Sequence, residues 1–594
     1  MTLNFRHPYN HDPTPSTRIM LIEVSHLNLV GRNSEARESF LKTRLFRPRK
    51  DCEGWEIPSG PMDFEFDPFN DANWRFQLNA LRSIDCFFSE EIANPGENFD
   101  VALAHMMQWI DCDNGYGDSA GYRWHDMATG LRSQKLALLI QISRLLKVDD
   151  STLEILEDSA YKHLKMLMNP DFLSQTNHGI FQMHGLMALS KVSKGEVSRA
   201  ASEYSTASIL NLINSQFDDD GVHTENSPEY HFFAINILKP IIESGWYELP
   251  RINQIWDKIL LESCWLIWPD GGFVEVGDSN NSSNEPKIRR WQREKMDMID
   301  NRTMASQLEI NGQKFITREQ RHSGYTVIRT PFGVKPEESS MLFTTSAFKS
   351  TSHRQADDLS FTIFERGGVV FSDPGKFQYG SSPGRNFVQS SHSHNCLTID
   401  NKNFPISKDH FYNSARQWVR NYSWGFGLLL RKDWHHINTE QWRLLIYRPG
   451  EFFGVVDAIN SENDREFTQW FHLSERYSKI DFPSETSFRA SGGPVPINGA
   501  FISTSEEKPT ISSFHGSMDP FQGWTSPTYG KLVPSFAIGS SVKGKFRVLG
   551  SIFTFNEQDP HLEIFSSDNQ IRIEANIGTN EVRIPILLSG VNNR

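Results

Sequence analysis

Cysteine is scarce in this chain, long apolar runs are missing, and basic charge is in deficit; each shortage excludes something. The five cysteines (Cys52, Cys86, Cys112, Cys264, Cys396) are scattered, odd in number and include no Cys-x-x-Cys pair. That spacing supports neither a thiolate zinc site nor a disulfide framework. The most apolar stretch, Leu136 to Leu146, is interrupted by Gln141, Ser143 and Arg144, so no segment is expected to span a membrane. Lys plus Arg number 60 against 73 Asp plus Glu, a net charge of −13. Such a chain lacks the basic field that nucleic-acid binding needs, although a cleft on it can still be locally positive towards an anionic sugar. The opening residues, Met1 to Asn10, lack the basic, apolar and small-residue succession of a secretory signal. The chain reads as soluble, with compartment and oligomeric state left open.

A length of 594 residues exceeds what one core organises, so two or more domains are expected. The hydrophobic share of 38% and charged share of 22% are ordinary for a globular protein. Most of the 15 Trp and 42 Phe are expected to pack cores, with sugar stacking a second use. From about residue 70 to 315 the apolar spacing is helical, as in Leu131, Leu136, Leu139, Ile140, Ile142, Leu145 and Leu146. Breakers such as Asp113-Asn-Gly-Tyr-Gly-Asp118 and Asn169-Pro-Asp171 separate these stretches. Near residue 316 the pattern changes to short strands, among them Gly324 to Thr330, Ser360 to Phe364 and Phe452 to Asp457. The expected fold is therefore α+β and multidomain. Residues 1–315 form stacked helical hairpins, a bundle or an α/α toroid, with 1–70 as an extension packed on it. Residues 316–594 form an antiparallel β-sandwich. The polar run from Asp278 to Pro286 reads as a surface loop.

Three segments carry chemistry. Asn177 and His178, after Thr176 and ahead of a helical pattern that includes His184, can aim an amide and an imidazole into a cavity; equally, Asn177 can serve as a helix cap. In the second, Asp218 to His231, Tyr230 follows a Pro-containing turn and can project its hydroxyl into a cleft, or bury its ring and leave the hydroxyl wet. The third joins His353, His392 and His394 with Asp373 at strand ends, residue types that suit zinc or a similar ion.

In this order the three segments resemble the heparinase II/III-like polysaccharide lyases. The likeness extends to Asn73-Trp-Arg-Phe-Gln-Leu-Asn-Ala-Leu-Arg82, Trp124-His-Asp-Met-Ala-Thr-Gly-Leu-Arg132 and Trp268-Pro-Asp-Gly-Gly-Phe-Val-Glu-Val-Gly-Asp278. It also takes in Ser323 to Arg329 and Ser391-His-Ser-His394, and covers roughly residues 70 to 400.

The resemblance implies an N-terminal α/α toroid, a C-terminal β-sandwich, and β-elimination on a uronic-acid polysaccharide. It implies catalytic roles for Asn177, with His178, on the substrate carboxylate, for Tyr230 as acid, and for His353 as base or electrostatic partner. Arg132, Trp124, His125 and Glu225 are expected to bind substrate, with Arg132 and His353 as cationic neighbours of Tyr230. A structural divalent metal, zinc or similar, would take Asp373 and His394, but the third ligand position carries Gln355, an amide where an imidazole is usual. Members of the family are often periplasmic or secreted; with no secretory signal visible in the opening residues, cytoplasmic is the alternative. Two other readings stand beside this one: an α/α-toroid glycoside hydrolase using carboxylates such as Glu225, Glu229 and Asp126, and a non-catalytic glycan-binding or capsule and lipopolysaccharide pathway protein.

Overall fold

A computed structural model describes residues 22–29, 42–47, 54–57, 62–88, 97–112, 121–247, 250–280, 290–301, 306–346, 350–504, 508–567, 570–577 and 580–587. The turn expected at 113–118, most of the extension expected at 1–70, and the part of the polar run beyond Asn280 lie outside these residues. The chain divides into two compact units, Met1–Gln216 with Phe233–Trp256, and Phe217–Phe232 with Asp257–Arg594.

The first unit is built from antiparallel helical hairpins. Helix Asp150–Leu167 starts at Asp149, whose carboxylate accepts from the Thr152 amide and so satisfies one of the free donors of the first turn. Helix Asn177–Val192 starts at Thr176, whose hydroxyl accepts from the His178 amide. Helix Asp126–Leu146 is buried on every side from Ala128 to Ile140, the pattern of a central helix rather than a surface one. It crosses helix Asn177–Val192 at backbone contact: a Cβ on Gly130 would lie 2.4 Å from the Phe181 carbonyl, and one on Gly185 2.3 Å from the Gly130 oxygen. Only glycine fits at this crossing.

In the second unit the strands start at Ser306. Ser306–Ile310, Gln313–Gln320, Tyr325–Arg329, Ser340–Thr345, Phe361–Glu365 and Gly368–Phe371 form a six-stranded antiparallel sheet in chain order. A ten-stranded sheet faces it, centred on the long strands Phe452–His472 and Phe536–Thr554. Phe315, Ile328, Leu342 and Ile363 of the smaller sheet share one core with Leu428, Leu445, Val455 and Ile538 of the larger. Phe361 meets Phe453 with ring centroids 4.5 Å apart, and Phe371 meets Phe553 at 4.9 Å. This interdigitation makes the pair a sandwich. A three-stranded sheet from His561 onward places Leu562 and Ile584 on the far face of the larger sheet.

Antiparallel order decides where the chemistry goes. Strands alternate in direction, so the segment at 350–360 that leads into Phe361 and the segment that follows Phe371 lie at the same end of the six-stranded sheet. The first carries His353 and Gln355; the second carries Asp373, Lys376 and Tyr379.

Candidate active site

In the sandwich unit, Tyr230 and His353 lie face to face. Tyr230 is in the first turn of helix Pro228–Glu243. Its ring stacks on the imidazole with centroids 3.6 Å apart and planes 18° from parallel. His353 has a left-handed backbone, φ 52°, unusual for a residue with a side chain. Its Nδ1 lies 3.2 Å from Asp278 Oδ2, and its Nε2 lies 3.5 Å from Glu225 Oε2. Tyr230 and Tyr379 share a hydroxyl–hydroxyl hydrogen bond. The Lys376 ammonium lies 4.8 Å from the Tyr379 ring centre and 5.5 Å from that of Tyr230.

Burial first, and the neighbouring carboxylates after it, favour the protonated phenol. Burial pushes the Tyr230 hydroxyl up to about 12; the Tyr379 hydrogen bond opposes that shift, and Glu229, Asp278 and Glu225 add to it. Burial also raises the Glu225 carboxyl, against the pull of His353. Burial would raise Asp278 as well, but hydrogen bonds from His353, Arg385 and Gln355 outweigh it and hold that carboxyl well below the usual range. The Arg385 fork grips both Asp278 oxygens, at 2.7 and 2.8 Å, the geometry in which arginine binds carboxylates most specifically.

In the helical unit, His125, Asp126 and His178 meet at two helix N-termini. Asp126 opens helix Asp126–Leu146, and its Oδ1 is 2.9 Å from His125 Nδ1 and 3.1 Å from His178 Nδ1. Burial raises this carboxyl, and the hydrogen bonds from the two imidazoles outweigh it to hold the group ionised far into acid. The ligand atoms of these three residues lie within 4.8 Å of one another. Both helix ends carry partial positive charge, which opposes a cation there and favours an anion. Asn177 is the first residue of its helix and half-buried; Thr176, not Asn177, is the cap.

Several expectations need correction. Arg132 and Trp124 are not presented to a ligand. Arg132 is fully enclosed, donates to the Asn79 carbonyl at 2.6 Å and to His163 at 3.0 Å, and lies 3.6 Å over the Trp109 ring. Trp124 is 5% exposed and packs against His163. Both brace the helical core. His184 is likewise structural, bonded to Tyr247 and the His26 carbonyl, with burial lowering its pKa to about 4. Asp278 and Ser279 are buried, not part of a surface loop.

The expected metal position also differs. Asp373 and His394 are together, with Oδ2 and Nδ1 2.9 Å apart and both residues buried. Gln355 is turned so that its amide nitrogen donates to Asp278 Oδ1 at 3.0 Å and to the Gly375 carbonyl at 3.2 Å. Gln355 Oε1 and His394 Nε2 are buried without a hydrogen-bond partner among the described residues. An amide oxygen, one carboxylate and one imidazole fall short of the donor set that zinc takes. These residues do not fit a zinc ion.

Four participants were missed from the sequence: Asp278, Arg385, Lys376 and Tyr379. The only local signal was the polar, Gly- and Pro-punctuated character of Asp373 to Tyr379 after a strand.

Helical hairpins followed by an antiparallel sandwich in one chain define the α/α-toroid-plus-sandwich class of fold. The chain belongs to the heparinase II/III family: the Heparinase II/III N-terminus model matches residues 35–250, and the Heparinase II/III-like, C-terminal model residues 315–564. Among solved structures, a heparinase III with methylated lysines aligns over 96% of this chain and 92% of its own, at TM-score 0.71 and 16% identity. The heparan sulfate lyase HepC from Pedobacter heparinus aligns over 95% and 92%, at TM-score 0.69 and 16% identity. These likenesses establish the fold. In sequence, the heparin-sulfate lyase of Pedobacter heparinus is 22% identical over 278 residues, 43% of this chain and 40% of that protein. The matched part thus spans less than half of that relative's length. Among the described residues no helix is long and apolar enough to cross a membrane.

Proposed function

We propose that the protein is a polysaccharide lyase that cleaves a uronic-acid-containing glycan by β-elimination. One observation carries the reading: a phenol whose environment keeps it protonated is stacked on an imidazole whose Nδ1 faces a buried carboxylate. Tyr230 is the acid that protonates the glycosidic oxygen leaving C4. A phenol raised to about 12 is unsuited to act as a resting-state base. His353, through Nε2, takes the C5 proton. Asn177, with His178 beside it at the same helix N-terminus, neutralises the substrate carboxylate, so that negative charge can develop on its oxygens. Donors aimed at developing charge typically supply about 3–4 kcal/mol each.

Glu225, near His353, and Lys376 and Tyr379, near Tyr230, are the groups set to contact the sugar around the reacting bond. The heparan sulfate and heparin-sulfate lyases among the relatives make a glycosaminoglycan of that type the first substrate to test. A hydrolase needs two carboxylates free to act across the bond. Here Glu229 accepts from the Asn280 amide and approaches Lys376, and Asp126 is taken by two histidines. Screening uronate polysaccharides for a product that absorbs in the near ultraviolet tests the proposal. Chain cleavage without that chromophore would overturn it.

A further inference from the structure

The run Gly277-Asp278-Ser279-Asn280 fastens three parts of the Tyr230–His353 site at once. The Asp278 amide donates to the His353 carbonyl at 3.0 Å, while His353 Nδ1 faces Asp278 Oδ2 at 3.2 Å. Ser279 Oγ shares a 2.7 Å hydrogen bond with Ser227 Oγ and accepts from the Glu229 amide at 3.2 Å, tying down the start of the Tyr230 helix. Asn280 Oδ1 accepts from the Lys376 amide at 3.3 Å. Gly277 has φ 60°, and a Cβ there would lie 2.2 Å from the Asn226 oxygen and 2.9 Å from the His353 oxygen. Asn226 in turn donates to the Ser350 and Ser352 carbonyls, both at 3.0 Å, pinning the residues that lead into His353.

We propose that Asp278 is the positioning residue of His353, fixing its imidazole with the proton on Nδ1 and leaving Nε2 as the acceptor. An ionised carboxylate can only accept, so the hydrogen between these groups belongs to the ring. The Arg385 fork and the Gln355 amide hold the carboxylate from its other sides, so its direction is set independently of substrate. The side chain at position 355 thus braces Asp278 through an amide hydrogen bond. Groups that face the imidazole are Asp278, Glu225, Tyr230 and Tyr379. The role rests on the lyase reading, but the orientation can be measured without substrate.

In protein labelled with 15N-histidine, the His353 signals are identified by their loss in His353→Gln. Wild type should show the Nδ1-protonated form, and Asp278→Asn and Asp278→Ala should lose it. Turnover in Asp278→Asn should fall at least about a hundredfold, with KM within about threefold. Because that variant strands the Arg385 charge, the double variant Asp278→Asn/Arg385→Gln is made alongside; it should fold and show the same loss. Asp278→Glu should recover part of both signals. An unchanged His353 pattern, or near-normal kcat in a folded double variant, would overturn the proposal. If no polysaccharide yields the unsaturated product with wild type, the lyase reading fails, while the tautomer result still decides the Asp278–His353 relationship.

Discussion

Tyr230 lies flat against His353, ring centres 3.6 Å apart, so the groups proposed as acid and base are direct neighbours. Stacking sets the distance between the phenol and the imidazole through their ring faces. In the proposed reaction the hydroxyl, now shared with Tyr379, turns to the leaving oxygen, and the imidazole Nε2, now facing Glu225, turns to C5.

Replacing Tyr230 by Phe keeps the stack and removes only the proton. Turnover is expected to drop by about a hundred- to ten-thousand-fold, with KM little changed. Steady-state kinetics checks this, and near-normal kcat in that variant would rule out Tyr230 as the acid.

Asn177→Ala should slow the reaction by about a hundred- to a thousandfold, the loss typical of one donor aimed at developing charge. The side chain opens a helix already capped by Thr176, so the melting temperature should stay near wild type. A rate within about fivefold of wild type would argue against the assigned role.

Much of this architecture is legible in the sequence, for definite reasons. The switch from helical to alternating apolar spacing, read near residue 316, lies ten residues past Ser306, where the strands of the sandwich unit begin; period alone distinguishes the two patterns. Tyr230, His353 and Asn177 come to notice through the family resemblance; local pattern alone leaves Asn177 readable as a helix cap and Tyr230 as a buried ring with a wet hydroxyl. Arg132 misled, because its motif says nothing about burial; only the unbroken burial of its helix from Ala128 to Ile140 shows that the guanidinium belongs to the core. Asp278 was hidden by the Ser- and Asn-rich run it begins. Its partners His353, Gln355 and Arg385 come from distant segments that the sheet topology brings together, and local pattern does not encode that.

Zinc content separates this chain from the metal-binding expectation. Protein purified without chelator should hold well under one zinc per chain, and adding EDTA should leave its melting temperature unchanged. Gln355→His supplies the missing imidazole beside Asp373 and His394 and should raise bound zinc. Stoichiometric zinc in wild type would contradict the account of position 355.

Stability should depend on pH through Glu275. Burial raises this carboxyl to about 8, the hydrogen bond from Trp268 opposes the shift, and Asp373 and Glu475 add to it. The folded protein holds this proton more tightly than the unfolded chain. Its contribution is therefore full below about pH 4.5 and is lost as pH climbs through 8. Glu275→Gln keeps an acceptor for Trp268 and cannot ionise. Thermal melts should show the variant close to wild type near pH 5 and several degrees more stable near pH 8.5. Equal shifts at both pH values would refute the assignment.

Elimination and hydrolysis differ by one molecule of water, so mass spectrometry of the fragment that carries the new non-reducing end tests the central claim most directly. The account predicts a fragment lighter than its hydrolysis counterpart by one water, formed by wild type and not by Tyr230→Phe. A fully hydrated fragment from wild type would contradict it.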